Sequence, residues 1–211
     1  ALPPLWTGLP EDSNVYGEYP IFNWNPDWNS NPKMLPIRTG EKINKGRGIE
    51  VETQGTRYHM EHQYRIAETK EEFFRLLKFF DCRRGRKLAF WHIDLENIWE
   101  ASNINNVFVE IFPYGDFTEF QEDFDYIGIV MKDGTTYVRK VITIQEILGV
   151  YRITVDQALP TLDLTQIQRI SRARLSRFMK DVFEERWQTN QFATTTMYIM
   201  EILNEQNVEM S

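Results

Sequence analysis

The chain has a single cysteine, Cys82, among 211 residues. No disulfide can close within it, and no zinc site built from cysteines can be assembled from one copy. That scarcity fits synthesis in a reducing cytoplasm. Histidine is almost as rare, with only His59, His62 and His92. His59 and His62 stand three apart, which on a strand sends them to opposite faces and denies them a shared metal. His92 is followed closely by Asp94, a conceivable ligand pair, but a histidine satisfied within its own strand accounts for it as well. No metal site is assigned.

Long apolar runs are also missing. None approaches the ~20 residues needed to cross a bilayer, so no membrane insertion is expected. The opening, Ala1-Leu2-Pro3-Pro4-Leu5-Trp6, has neither the basic start nor the long apolar stretch of a signal peptide. There is no excess of positive charge: the formal net charge is −7, which argues against specific nucleic-acid binding, since release of counterions from phosphate needs a basic face. Catalytic signatures fail too. Gly46-Arg47-Gly48 is too short for a dinucleotide loop and precedes a strand-like segment. Neither a Gly-x-Ser-x-Gly elbow nor a Gly-Lys-Ser/Thr loop occurs. The expectation is a chain that is not an enzyme and carries no cofactor.

Aromatic residues are plentiful at 14%, and several fall in segments that read as loops. Such rings need cover, from the chain's own core or from another subunit. Residues 1–46 hold seven of the nine prolines. Trp24-Asn25-Pro26-Asp27-Trp28-Asn29-Ser30-Asn31-Pro32 reads as consecutive turns, because proline fixes φ and Asn or Asp engages its own backbone. This is an extended arm, packed on its own domain or on a neighbour, with Trp24 and Trp28 as candidate subunit contacts.

Beyond the arm, apolar and polar residues alternate from Tyr58 to Ile66, with Tyr58, Met60, His62, Tyr64 and Ile66 on one side. Period two over this length predicts a half-buried strand. Ile49, Val51 and Thr53 alternate before it, and Gly55 supplies a turn, so the two read as a hairpin. Thr69-Lys70-Glu71-Glu72 then reads as a capping box. It opens a helix over about 70–82 whose stripe is Phe73, Phe74, Leu76, Leu77 and Phe80. Gly85 is placed to end it with a positive φ. A short strand follows from Leu88 to Ile93.

Residues 99–155 read as all-β. The strands expected are Val107–Ile111, Tyr126–Met131, Tyr137–Ile144 and Val150–Val155, with Asp133-Gly134 as a hairpin turn. Such a set suggests a small barrel or sandwich inserted into the first domain. Ile167–Phe183 reads either as a helix or as a strand pair. The alternation from Thr194 to Ile202 favours a closing strand after a turn at Trp187–Asn190. The fold class is therefore mainly β (α+β), a sandwich- or barrel-like domain with one capped helix on its sheet. The domains expected are the arm (1–46), a main domain (47–98 and 156–211) and the insertion (99–155).

The remaining clusters are charged. Asp116, Glu119, Glu122, Asp123 and Asp125 are interleaved with Phe117, Phe120, Phe124 and Tyr126. Paired carboxylates serve glycosidases, yet a solvated loop anchored by aromatics has the same look and is the stronger reading. Arg83, Arg84, Arg86 and Lys87 gather at the helix C-terminus, where cations meet the helix dipole. Arg169, Arg172, Arg174, Arg177 and Lys180 form a second basic cluster. Subunit contacts and a solvated face explain these equally; Arg83, Arg84, Arg86, Arg172 and Arg174 are the interface candidates.

Several of these segments together resemble one group of tailed-bacteriophage minor tail proteins, the distal tail (tail-hub) family. The residues that carry the likeness are Pro26-Asp27-Trp28-Asn29, Arg47-Gly48-Ile49-Glu50, Arg57-Tyr58, Arg84-Gly85-Arg86, Phe90-Trp91, Arg177-Phe178, Trp187 and Met197 to Leu203. They span most of the chain, each motif is short, and none is catalytic. The resemblance implies a structural virion protein of the tail tip, a β-rich tail-hub domain with one helix. It would assemble as a homo-oligomeric ring, hexameric or, as the hub beneath, trimeric. Such rings join the tail tube protein to the baseplate hub or central fibre protein, with DNA passing through the lumen. An inserted β-domain, as some members have, suits residues 99–155. One branch holds an iron–sulfur cluster on several cysteines; with Cys82 alone, that cofactor does not carry over. The competing reading is a carbohydrate- or receptor-binding β-module, with Trp24, Trp28, Trp91 or Trp99 stacking on sugar rings. Weakest is a wall hydrolase using the 116–125 carboxylates.

Overall fold

A computed structural model describes residues 9–10, 13–27, 33–39, 42–44, 50–52, 57–95, 98–112 and 125–202. The protein is mainly β, with one helix on antiparallel sheet. In chain order the strands are β1 (Val15–Tyr16), β2 (Tyr19–Pro20), β3 (Lys33–Thr39), β4 (Lys42–Asn44), β5 (Glu50–Glu52) and β6 (Arg57–Thr69). The helix α1 (Lys70–Cys82) comes next, then β7 (Phe90–Ile93), β8 (Glu100–Ile104), β9 (Phe108–Phe112) and β10 (Tyr126–Met131). The rest are β11 (Thr136–Ile147), β12 (Val150–Val155), β13 (Ile167–Phe178), β14 (Arg186–Thr189) and β15 (Phe192–Glu201). Two compact units form: Ala1–Glu11, Trp24–Ala89 and Leu175–Ser211 in the first, Asp12–Asn23 and Phe90–Arg174 in the second. Segment 99–155 thus lies inside a larger unit that also takes residues 156–174 and a piece of the expected arm.

The first unit is built on β6. Its buried residues His62, Tyr64 and Ile66 alternate with half-buried Glu61, Gln63 and Arg65, as the period of two requires. β15 pairs along it from Phe192↔Thr69 to Met200↔Glu61, and β15 alternates likewise, burying Thr195, Met197, Ile199 and Glu201. On its other edge β6 pairs with β3, from Lys33↔Gln63 to Thr39↔Arg57. The expected hairpin of Ile49–Thr53 with β6 is therefore corrected: β5 pairs with β4 instead, while Ile49, Thr53 and Gly55 lie outside the described residues. The strand next to β6 comes from the proline-rich stretch read as an arm. Pro36 hides it from a sequence reading, and it is tolerated because β3 is an edge strand, where a missing N–H breaks no inner ladder.

The helix occupies the span expected, but not by the means expected. Thr69 is its N-cap with extended backbone, and its side chain makes no capping hydrogen bond. The reason is that Thr69 still belongs to β6 and pairs with Phe192. The first helical donor, the Lys70 N–H, goes to the Gln191 carbonyl at 2.9 Å, so the neighbouring hairpin supplies part of what a cap would. The buried stripe is Phe73, Leu76, Phe79 and Phe80; Phe74 turns out to solvent at 39% exposure, and Phe79 takes its place. Phe80 meets Phe178 at 4.8 Å between ring centroids and Phe183 at 5.2 Å, and Phe73 meets Phe183 at 5.5 Å. α1 packs on β6 and β15. Past its end both Arg84 (φ 52°) and Gly85 (φ 57°) are left-handed.

The second unit orders its strands β13-β10-β11-β12-β9-β8. β10 and β12 have the bounds expected, and the Asp133-Gly134 turn forms: Gly134 has φ 89°, and the Asp133 carboxylate accepts the Thr135 N–H at 2.8 Å. The open choice for 167–183 resolves as one long strand, β13, whose first half pairs with β10 (Ile127↔Arg172, Val130↔Arg169) and whose last residues pair with β15 in the first unit (Ser176↔Glu201). The core here is Val109, Ile111, Ile127, Ile129, Tyr151, Ile153, Ile170 and their neighbours. Part of the arm packs on this same unit. Phe22 donates its N–H to the Trp91 carbonyl at 2.8 Å. Tyr16 packs edge-on to Trp91 and donates its hydroxyl to Asp156 at 2.6 Å. Burial, then the Asp156 carboxylate, pushes the Tyr16 phenol far above its usual range.

Candidate functional site

A candidate surface for binding another protein is the outward face of β8, β9, β12 and β11. Register fixes which side chains share it. Tyr151 stands opposite Ile111, and Val150 opposite Ile147. Because Ile111 and Tyr151 point to the core, their neighbours Phe112 and Val150 point away from it. Phe112, Val150 and Ile147 thus make an apolar row across three strands at one end of the sheet, and Leu148 projects from the adjoining turn. Leu148 is 101% exposed and Phe112 46%. Leu148 also has a positive φ of 53°, an uncommon backbone for a branched side chain.

The next row on this face is polar. Glu110 accepts from Arg152 Nε at 2.8 Å and from Asn103 at 3.1 Å. Arg152 also lies over the Phe108 ring, 4.3 Å from its centroid. The Arg152 guanidinium and the Asn103 amide hold the Glu110 carboxyl below its usual range. An internally satisfied polar row beside an exposed apolar one is the layout of an interface with a dry end and a wet end. Another exposed apolar residue, Ile142, stands where the pairing of β11 with β12 shifts register between Val141 and Thr143. A bulge there re-aims its side chain toward solvent.

The residues singled out from sequence fare differently. Trp24 is 6% exposed, edge-on to Phe79 at 5.3 Å and beneath the Arg75 guanidinium at 5.2 Å; its own unit covers it. Trp28 lies outside the described residues. Arg83 turns in, donating to the Ala89 carbonyl at 3.2 Å, and burial lowers its pKa. Arg86 binds Asp181 at 2.8 Å, and that contact holds the Asp181 carboxyl below its usual range. Arg84 is exposed. Arg172 reaches the buried Asp94 at 3.4 Å, and Arg174 is half-buried on the same strand. The basic residues at the helix end thus go separate ways, and Arg172 and Arg174 are turned partly inward.

Trp91 and Trp99 are 5% and 4% exposed, so neither offers a face for a sugar ring; with Trp24 also covered, three of the four rings in that reading are spent in the interior. Asp116, Glu119, Glu122 and Asp123 lie outside the described residues. His62, in contrast, is buried with its Nε2 3.3 Å from a Glu201 oxygen. The alternation put His62 inside, but only the pairing of β6 with β15 finds its partner. The apolar row was hidden for the same reason: Phe112, Ile147 and Val150 lie far apart in sequence. No helix among the described residues is long and apolar enough to cross a membrane. No protein-family model matches this chain, and no curated protein matches it.

Proposed function

We propose that the chain is a structural subunit of a bacteriophage tail tip rather than an enzyme. In this reading copies close into a ring, a hexamer, that joins the tail tube to the baseplate hub or central fibre and lets DNA through. The observation that carries it is the apolar row Phe112–Val150–Ile147 with Leu148 beside it, on a sheet face whose polar residues already satisfy one another. A lone globular domain gains nothing from a fully exposed leucine at a hairpin tip. A subunit that buries it against a neighbouring copy gains about 1.5–3 kcal/mol per such side chain, repeated at every joint of a ring. Charge is compatible: the net −7 suits a wall that must not hold a polyanion. Arg169 and Arg172, at 7% and 13% exposure, are poorly placed to line a lumen.

The test is the mass of the purified chain by light scattering after size exclusion, over a range of concentrations. A hexamer, or a mass that climbs toward one, is expected. A trimer moves the assignment to the hub beneath the ring. A monomer at every concentration overturns the reading.

A further inference from the structure

We propose that a pocket in the first unit, on the face of β15, binds a small oxyanion: a phosphate or carboxylate group. The cavity is about 260 Å³ and is lined by Arg65, Glu184, Arg186, Gln188, Thr194, Thr195 and Thr196. Every lining residue carries a polar group, and the volume suits a phosphate or one acidic sugar residue rather than a larger molecule.

The register explains the convergence. Thr196 pairs with Arg65 on β6, and Thr194 pairs with Arg186 on β14. Thr194 and Thr196 are two apart on one strand and share a face. Two guanidiniums therefore flank a pair of hydroxyls, one from each neighbouring strand. Among the described residues neither Arg65 nor Arg186 has an ion pair, although carboxylates take up Arg75, Arg86, Arg152 and Arg172. Two unpaired guanidiniums around one concavity repel each other and favour an anion between them, which their donors can grip by paired charge-assisted hydrogen bonds.

Thr195 borders the pocket as well, but its side chain belongs to the opposite, buried face of β15 with Met197 and Ile199, so the anion would be held from the face of Thr194 and Thr196. Glu184 is the one lining group that opposes an anion, and it is engaged by Lys180 at 3.5 Å. This site is separate from the sheet face assigned to assembly and does not depend on it.

The experiment is titration of the full chain with inorganic phosphate and, in parallel, glucuronate, at constant ionic strength. It is read by calorimetry and by the amide shifts of Thr194–Thr196. Saturable binding that weakens as salt is raised is expected. Arg65→Gln and Arg186→Gln should each weaken it about tenfold or more, and Glu184→Gln should tighten it by removing the repelling carboxylate. Lys87→Gln, at the far end of α1, is the control and should change nothing. Tighter phosphate binding identifies a phosphoester ligand, and tighter glucuronate binding a carboxylated saccharide. Because Arg186 sits exposed on the short strand β14, its variant folds and keeps the test decisive. If neither anion saturates, or if the Arg65→Gln/Arg186→Gln double variant binds as the parent does, the proposal is wrong.

Discussion

Two glycines sit where a side chain would run into a neighbour. At Gly85 an added Cβ would lie 2.7 Å from Asp181 Oδ1 and 2.8 Å from its Cα, on a backbone with φ +57°. Close approach and left-handed backbone both forbid a side chain there. Gly85→Ala should therefore lower stability by about 1–3 kcal/mol in urea denaturation, and a loss below ~0.5 kcal/mol would contradict the packing. Gly128, in the middle of β10, is a different case. Its Cβ would run into the Ile93 side chain, which is flexible enough to be trimmed. Gly128→Ala should cost about 1–3 kcal/mol as overpacking, and Ile93→Val should recover part of that loss in a double-mutant cycle. Additive losses would show that Ile93 is not the obstacle.

Glu68 gives the residue-scale pH prediction. Burial, and next the charge of Glu72, raise its pKa above the ordinary glutamate value. A raised folded pKa means the native state holds this proton more tightly than the unfolded chain does. The favourable contribution is complete below the ordinary value and is lost as pH climbs through the raised one. Glu68→Gln should accordingly raise the melting temperature at pH 7–8 and leave it unchanged near pH 4. An effect of equal size at both pH values would rule the cause out.

At the scale of elements, α1 shows how a strand can replace a cap. A threonine at an N-cap usually contributes about 1 kcal/mol through its hydroxyl, but Thr69 makes no such bond, and the Lys70 N–H is met by Gln191. Thr69→Ala should cost less than ~0.5 kcal/mol, and a full capping loss would mean that the hydroxyl engages the helix after all. The β11–β12 hairpin is the complementary element: its tip is apolar where most turns are polar. Its Leu148 is strained in φ and covered by nothing among the described residues.

For the whole molecule, the assembly proposed above has a direct test. Phe112→Asp combined with Leu148→Asp should reduce the oligomeric mass to that of the monomer while the far-ultraviolet circular dichroism stays that of the parent. Both residues are exposed, so folding does not depend on them. An unchanged oligomer would move the interface elsewhere, with the exposed Arg84 at the end of α1 as the next place to look.

The sequence by itself determined what depends on neighbours along the chain. Period two placed β6 and β15, the strand-like segments 126–131 and 150–155 became β10 and β12, and a stripe of phenylalanines placed α1. The Asp133-Gly134 pair placed a turn. These are short-range consequences of backbone geometry and of which face must avoid water. It also forecast the mainly β class with one helix. What only the tertiary structure decided is pairing. Proline at position 36 disguised β3 as arm, and β13 was equally readable as helix because its arginines at 169, 172, 174 and 177 carry no single period. Arg65 and Arg186 come to flank the threonines of β15, and Phe112, Val150 and Ile147 line up in a row, through hydrogen bonds between strands distant in sequence. Such juxtapositions are set by register across a sheet, and register depends on all the strands at once.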